Sequence, residues 1–362
     1  MRNSKEKHRV NKKKVLIITT LSIISFCLLV LGTGYFYVKA KIYTKSEPKV
    51  NEEVVEKTEK KATTDNKPKE EKVDYEEVEG ITNILLIGID GIKFDENEQR
   101  SDSMIIATVN NNTKKVKLTS LYRDTLVYIP GHGEDKMNNS FSLGGPELVM
   151  DTIRYNYDLD IDKYILVNFA GFETILDQIG GVKIDVQDYQ LHELNKYIGE
   201  ATGGNDCPVE EAGLQLLNGK QALAYSRIRK GVGDDFERTG RQREVLFKVA
   251  EKLQHTSHLK YLTIGTKMLD YLKTNIEISE CLNLAYTMSK CDTSDMQQLS
   301  IPVEELSSNQ TINGREFLVM DAEENAEILH DFIYYDIIPD VVLNRSGEKD
   351  TSRYYEYDGF SE

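Results

Sequence analysis

The run ITNILLIGID (residues 81–90) is almost continuously apolar and stops on an aspartate. A strand covered on both faces requires such a run, because neither side of its pleat meets water. Ser103–Asn110 (SMIIATVN) and Lys115–Tyr122 (KVKLTSLY) read as two further strands, divided by the turn signal Asn110-Asn111-Asn112. If the three form an antiparallel meander, the end of the first, the start of the second and the end of the third share one sheet edge. That edge then collects Asp90, Arg100, Asp102, Arg123 and Asp124.

Downstream, Pro146 fits the first position of a helix running to about Tyr155. Asp162–Phe169 reads as a strand, Gly171–Ile179 as a short amphipathic helix closed by Gly180-Gly181, and Val182–Val186 as another strand. Tyr189–Asp206 is polar and reads as a surface loop, and Leu217–Tyr225 as a helix capped by Asn218. Helical patterns recur near Leu259–Leu272, Ser279–Ser289 and Glu323–Tyr335, with a strand at Met296–Pro302. Strands alternating with helices predict an α/β fold, an α+β sandwich in which a central mixed or antiparallel sheet is flanked by helices.

Ser226–Glu244 (SRIRKGVGDDFERTGRQRE) packs Arg227, Arg229, Lys230, Arg238, Arg241 and Arg243 into a chain whose formal net charge is -15. Guanidinium forks fit phosphate and carboxylate oxygens. If Ala224–Lys230 is extended, Arg227 and Arg229 share a side. A helix starting near Asp235, with Asp234 and Glu237 as a capping box, puts Arg238, Arg241 and Gln242 on its first turns. Free N–H groups at that helix start suit an anion. The other reading is a solvated basic helix face. Lys136 either touches an anion or sits in solvent.

Residues 1–14 carry a net charge of +6, which leaves -21 for the rest. So acidic a body repels nucleic acid. Val15–Val38 is a 24-residue run without charge. It is long enough for a membrane-spanning helix and too long for a secretory h-region. The expected organisation is a basic cytoplasmic tail (1–14), one transmembrane helix (15–38) and a flexible Lys/Glu-rich stalk (39–79). A domain over 80–340 and a polar tail over 341–362 follow, on the outer side of a single-pass cell membrane. No CxxC or Cys/His metal spacing involves Cys27, Cys207, Cys281 or Cys291, which read as free thiols. Asp90 and Asp102 among arginines suit a divalent cation bridging to phosphate, or are loop aspartates capping turns.

In this order, ILLIGID (84–90), RSDS (100–103), LTSLYRDT (118–125), KMNNSFSLGG (136–145), FETILDQIGGV (172–182), LNGKQALAYSRIRK (217–230) and DFERTGRQRE (235–244) resemble the LytR-CpsA-Psr family over roughly residues 80–340. The resemblance implies a phosphotransferase of a Gram-positive-type envelope. Such an enzyme moves a glycopolymer (wall teichoic acid, capsule or other wall polysaccharide) from a polyprenyl-pyrophosphate carrier onto peptidoglycan. By the same resemblance, Asp90 and Asp102 hold Mg²⁺, and Arg100, Arg123, Arg227, Arg229, Arg238, Arg241 and Gln242 bind the pyrophosphate. Asp235 is the implied general base, ahead of Asp124. The polyprenyl chain is expected in an apolar tunnel between sheet and helices. Glu237 departs from the glycine usual at its position, as do Gly91-Ile92 from the basic residue often found there. A lipid-pyrophosphate hydrolase using the same site, or a non-catalytic envelope-binding or regulatory protein, remains the alternative.

Overall fold

The computed structural model describes residues 33–44, 78–90, 94, 100–200, 207–229, 235–256, 258–291 and 296–338. Strands β1 (Ile81–Ile89), β2 (Ser101–Asn110) and β3 (Lys115–Leu121) form the expected antiparallel meander. A small hairpin, β4 (Leu126–Ile129) and β5 (Gly133–Lys136), leads into helix α1 (Met137–Tyr157). That helix starts earlier than Pro146 suggests, because its two halves join across a kink at Gly145, whose φ of 70° favours glycine. Strand β6 (Lys163–Asn168) then pairs parallel with β1, and α2 (Phe169–Ile179) follows it directly.

Strand β7 (Val182–Val186) leaves the main sheet and pairs with β8 (Gly213–Leu217). Between them, α3 (Asp188–Tyr197) occupies half of the expected surface loop. Leu191, Leu194 and Ile198 pack inward at helical spacing, a signal obscured by the surrounding polar residues. The capped helix α4 (Gly219–Arg227) runs on through Arg227, so that arginine is helical where an extended segment was expected. Helices α5 (Asp235–Gln254) and α6 (His258–Met268), strand β9 (Leu272–Thr274), helix α7 (Ile278–Met288) and strand β10 (Gln297–Ile301) follow. The hairpin β11 (Ser307–Ile312) and β12 (Arg315–Met320) and helix α8 (Ala322–Tyr335) complete the described chain.

The main sheet is six-stranded and mixed, in the order β10-β3-β2-β1-β6-β9. Alternation along its strands sends side chains to two cores. Leu85, Ile87, Ile89, Met104 and Ile106 meet α1 and α8, whereas Ile105, Val116 and Leu118 meet Leu246 and Phe247 of α5. A third cluster unites α2, α3, α4, α5 and α6 with the β7–β8 hairpin. Within it α4 presses against α2: a Cβ on Gly219 would lie 2.4 Å from the Glu173 carbonyl oxygen. Cys207, Cys281 and Cys291 are free thiols.

The membrane-spanning helix expected over 15–38, and with it the single-pass membrane location, is corrected here. Among the described residues no helix is long and apolar enough to cross a membrane. Residues 33–42 are helical, and the end of this helix docks on the domain, Lys39 pairing with Glu277 at 2.8 Å and Lys41 with Asp270 at 2.5 Å. Thr44 N–H donates to Thr274 O at 2.8 Å on β9, so the first residues of the expected stalk are fixed. The basic tail, residues 15–32, the rest of the stalk from 45 to 77 and the tail from 341 lie outside the described residues.

His330 ties α8 to α1, with Nε2 2.9 Å from the Tyr157 carbonyl oxygen. Burial holds this imidazole below its ordinary range. As pH falls below about 6.5, the unfolded chain therefore takes up this proton before the folded one. The stability contributed by the neutral ring is complete above that pH and declines below it. The melting temperature of the wild type should drop between pH 7 and 5, with a shallower drop in His330→Gln. Parallel profiles for the two proteins would refute this assignment.

Candidate functional site

Between Gly88 and Ile89 the β1–β2 register slips: Gly88 opposes Ser103 and Ile89 opposes Ser101, which leaves Asp102 without a partner on β1. A bulge of this kind re-aims the extra residue's side chain. Three guanidinium groups converge on the Asp102 carboxylate. Arg123, just past β3, donates from Nη1 to Oδ1 at 2.8 Å. Arg229, beyond α4, has Nη2 3.5 Å from Oδ1, and Arg238 of α5 has Nη2 3.7 Å from it. Arg238 also donates to the Asp102 carbonyl oxygen and is 3% exposed, so a charge is buried there.

Local structure explains the convergence. Phe236, on the first turn of α5, packs against Tyr122 with ring centroids 4.2 Å apart and the rings tilted by 57°. Thr239 Oγ1, one turn later, lies 3.4 Å from the Tyr122 hydroxyl. These contacts hold the start of α5 over the end of β3 and carry Arg238 to the bulge. Asp235 is the first residue of α5, one before Phe236. At the same rim, Asp90 Oδ1 accepts a hydrogen bond from Arg100 N–H at 3.3 Å.

Arg227 ends α4 and is enclosed differently. Its guanidinium lies 4.9 Å from the Phe169 ring centroid and 5.6 Å from that of Tyr197, with Nη2 3.3 Å from a Glu200 carboxylate oxygen. Its Nη1 is buried with no hydrogen-bond partner among the described residues. Phe169 and Tyr197 were not anticipated. Only the position of Phe169, at the exit of a buried strand like Asp90 and Arg123, offered a signal.

The first-turn face expected on α5 is divided. Arg238 reaches Asp102, but Arg241 turns to the Ile228 carbonyl oxygen at 2.7 Å and to Glu237 at 3.3 Å. Gln242 Nε2 lies 3.5 Å from the Ser226 carbonyl oxygen. Arg241 and Gln242 thus hold the end of α4 and the residue after it against α5. Arg243 braces α5 on the sheet, donating from Nη1 to Ser120 Oγ and Ser300 Oγ at 2.7 Å each. Lys136 Nζ donates to Asp124 Oδ1 at 2.7 Å, so it touches a carboxylate of the protein itself. Asp234, expected as half of a capping box, lies outside the described residues.

Three positive groups around one carboxylate leave an excess of positive charge in a partly desolvated recess. Like charges a few ångströms apart there repel by about 4 kcal/mol per pair at an effective dielectric near 20. A multiply charged phosphate relieves that repulsion and uses the guanidinium forks. Among the described residues no three His, Cys, Asp or Glu side chains form a ready metal cage. Asp90 and Asp102 nevertheless suit Mg²⁺, which commonly takes one or two carboxylates and completes its shell with phosphate oxygens and water.

The profile of the LytR_cpsA_psr family matches residues 48–332. A polyisoprenyl-teichoic acid–peptidoglycan teichoic acid transferase, TagU of Enterococcus faecalis, is 35% identical over 206 residues, which are 56% of this chain. The match spans under two thirds of that relative, 64% of its length. The protein of the same name from Oceanobacillus iheyensis is 30% identical over 289 residues, 78% of each chain. Among solved structures, TagT bound to LI-WTA superposes with a TM-score of 0.58 at 25% identity, covering 74% of this chain and 94% of that one.

Asp102 holds Arg123, Arg229 and Arg238 together, so Asp102→Asn should lower the unfolding free energy by on the order of 2–4 kcal/mol. Added sulfate or pyrophosphate should restore part of the loss, because the anion replaces the missing charge. Denaturant titrations with and without anion check this. Unchanged stability in the variant would contradict it.

Proposed function

The chain belongs to the LytR_cpsA_psr family, and on that premise we propose that it transfers a glycopolymer, teichoic acid or another wall polysaccharide, from a polyprenyl-pyrophosphate carrier onto peptidoglycan. The observation that carries this reading is the meeting of Arg123, Arg229 and Arg238 on the bulged Asp102. A diphosphate is the ligand such a charge excess suits, and both curated relatives are named as transferring teichoic acid to peptidoglycan.

In the proposed reaction a peptidoglycan hydroxyl attacks the phosphorus that bears the polymer. The new P–O bond is a phosphodiester, and the bond that breaks is the P–O bond to the bridging oxygen, which leaves with polyprenyl phosphate. Arg123, Arg229 and Arg238 stabilise charge on the phosphate oxygens in a geometry set before the substrate arrives. Arg227 and Arg100, at the same rim, extend the clamp. Arg241 and Gln242 act by fixing the path of the chain between α4 and α5. Asp235 takes the hydroxyl proton. Mg²⁺, when held by Asp90 and Asp102, supplies further neutralisation of the phosphates. The apolar carrier would lie along the apolar residues at the sheet–α5 contact, where Leu86, Leu246 and Phe247 are only partly buried.

Arg227→Ala and Asp235→Asn should each reduce transfer at least about a hundredfold, as loss of a charge-stabilising group or a proton acceptor does. Chelation of divalent ions should reduce it as well. Mass analysis of product from a polyprenyl-pyrophosphate-linked disaccharide, with and without peptidoglycan fragments, checks this. Equal release with and without acceptor identifies a hydrolase, and no turnover with retained donor binding identifies a binding protein.

A further inference from the structure

Asp124 follows Arg123 directly, and its carboxylate lies between two cations. Oδ2 is 3.3 Å from Arg123 Nε, and Oδ1 accepts the hydrogen bond from Lys136 Nζ at 2.7 Å. The Arg123 guanidinium is therefore flanked on two sides, by Asp102 at Nη1 and by Asp124 at Nε. The side chains of Arg123, Asp124 and Lys136 are 21%, 30% and 22% exposed, so the row is shielded for most of its length.

The backbone under this row is fixed. Met137 N–H donates to Thr125 O at 2.9 Å, Asn138 N–H to Arg123 O at 3.0 Å and Leu318 N–H to Asp124 O at 3.0 Å. The turn at 123–125 is thus joined to the start of α1 and to β12. Lys136, the residue before α1, packs its ammonium 5.7 Å from the Phe317 ring centroid on β12. The row Asp102–Arg123–Asp124–Lys136 runs from the β2 bulge to the start of α1. A long arginine side chain has many rotamers, and an arginine that must meet a phosphate gains from having its direction set in advance. A proton acceptor, by contrast, needs an oxygen within reach of the substrate hydroxyl. Both Asp124 oxygens face fixed cations.

From this geometry we infer that Asp124, backed by Lys136, is a positioning residue: it aims Arg123 at the diphosphate and takes no proton. The inference rests on the proposed pyrophosphate site. Charge alone would act in the opposite direction, since deleting a carboxylate beside an anion site should tighten anion binding.

Calorimetric titration of inorganic pyrophosphate into the full chain separates these effects, with transfer rates measured in parallel. Asp124→Asn should weaken pyrophosphate binding about tenfold, within the coupling seen for residues of one ion-pair network. In an Arg123→Ala background the same change should weaken it no further. Lys136→Met should act in the same direction as Asp124→Asn, and Asp124→Glu should recover part of the affinity. Binding that is unchanged or tighter in Asp124→Asn overturns the inference, as does a loss that persists in full without Arg123. Wild-type affinity combined with abolished transfer would make Asp124 a proton acceptor and also overturn it. Absence of pyrophosphate binding by the wild type would remove the proposed function itself.

Discussion

One carboxylate holds three guanidinium groups that would otherwise repel one another. Asp102 can do this because the β1–β2 ladder skips it, which frees its side chain from a cross-strand neighbour and sets it at the sheet edge. Arg123 arrives from the strand beside it, Arg229 from the segment after α4, and Arg238 from the first turns of α5. Each approach depends on packing elsewhere: Tyr122 against Phe236 for α5, and Gly219 against α2 for α4. The site is therefore a product of tertiary structure. Folding tolerates such a cluster because the carboxylate and the Asp102 carbonyl satisfy part of its donors.

Around that centre the arginines divide into two kinds. Arg123, Arg229 and Arg238 meet at Asp102, and Arg227 is stacked on aromatic rings beside Glu200. Arg241 and Arg243 serve the scaffold, the first linking the post-α4 segment to α5 and the second pinning α5 to serines of β3 and β10. A guanidinium fork suits both tasks, since its donors match carbonyl and hydroxyl oxygens as well as phosphates.

Much of this was legible in the sequence. The unbroken apolar run before Asp90 and the alternation before Arg123 established the meander, and the meander placed Asp90, Arg100, Asp102, Arg123 and Asp124 at one edge. The helix start at Asp235 was legible for the same kind of local reason. The bulge at Asp102 was not, because one extra residue in a ladder leaves no mark in hydropathy. The division among Arg238, Arg241 and Arg243 was equally hidden, since residues three and five apart on a helix point to different neighbours that only tertiary packing supplies. Helix α3 was missed because polar residues surround its three inward-facing apolar positions. The apolar run at 15–38 suggested a membrane-spanning helix by length alone, but among the described residues no helix is long and apolar enough to cross a membrane, and residues 33–38 lead into a segment ion-paired to the domain through Lys39 and Lys41.

The central claim, that these guanidinium groups exist to receive a diphosphate, is tested most directly by a crystal structure of the full chain grown with inorganic pyrophosphate and Mg²⁺. The account predicts a diphosphate within hydrogen-bond distance of Arg123, Arg229 and Arg238, beside Asp102. A diphosphate bound elsewhere, with all three guanidinium groups still turned to Asp102 and away from any ligand, would contradict it.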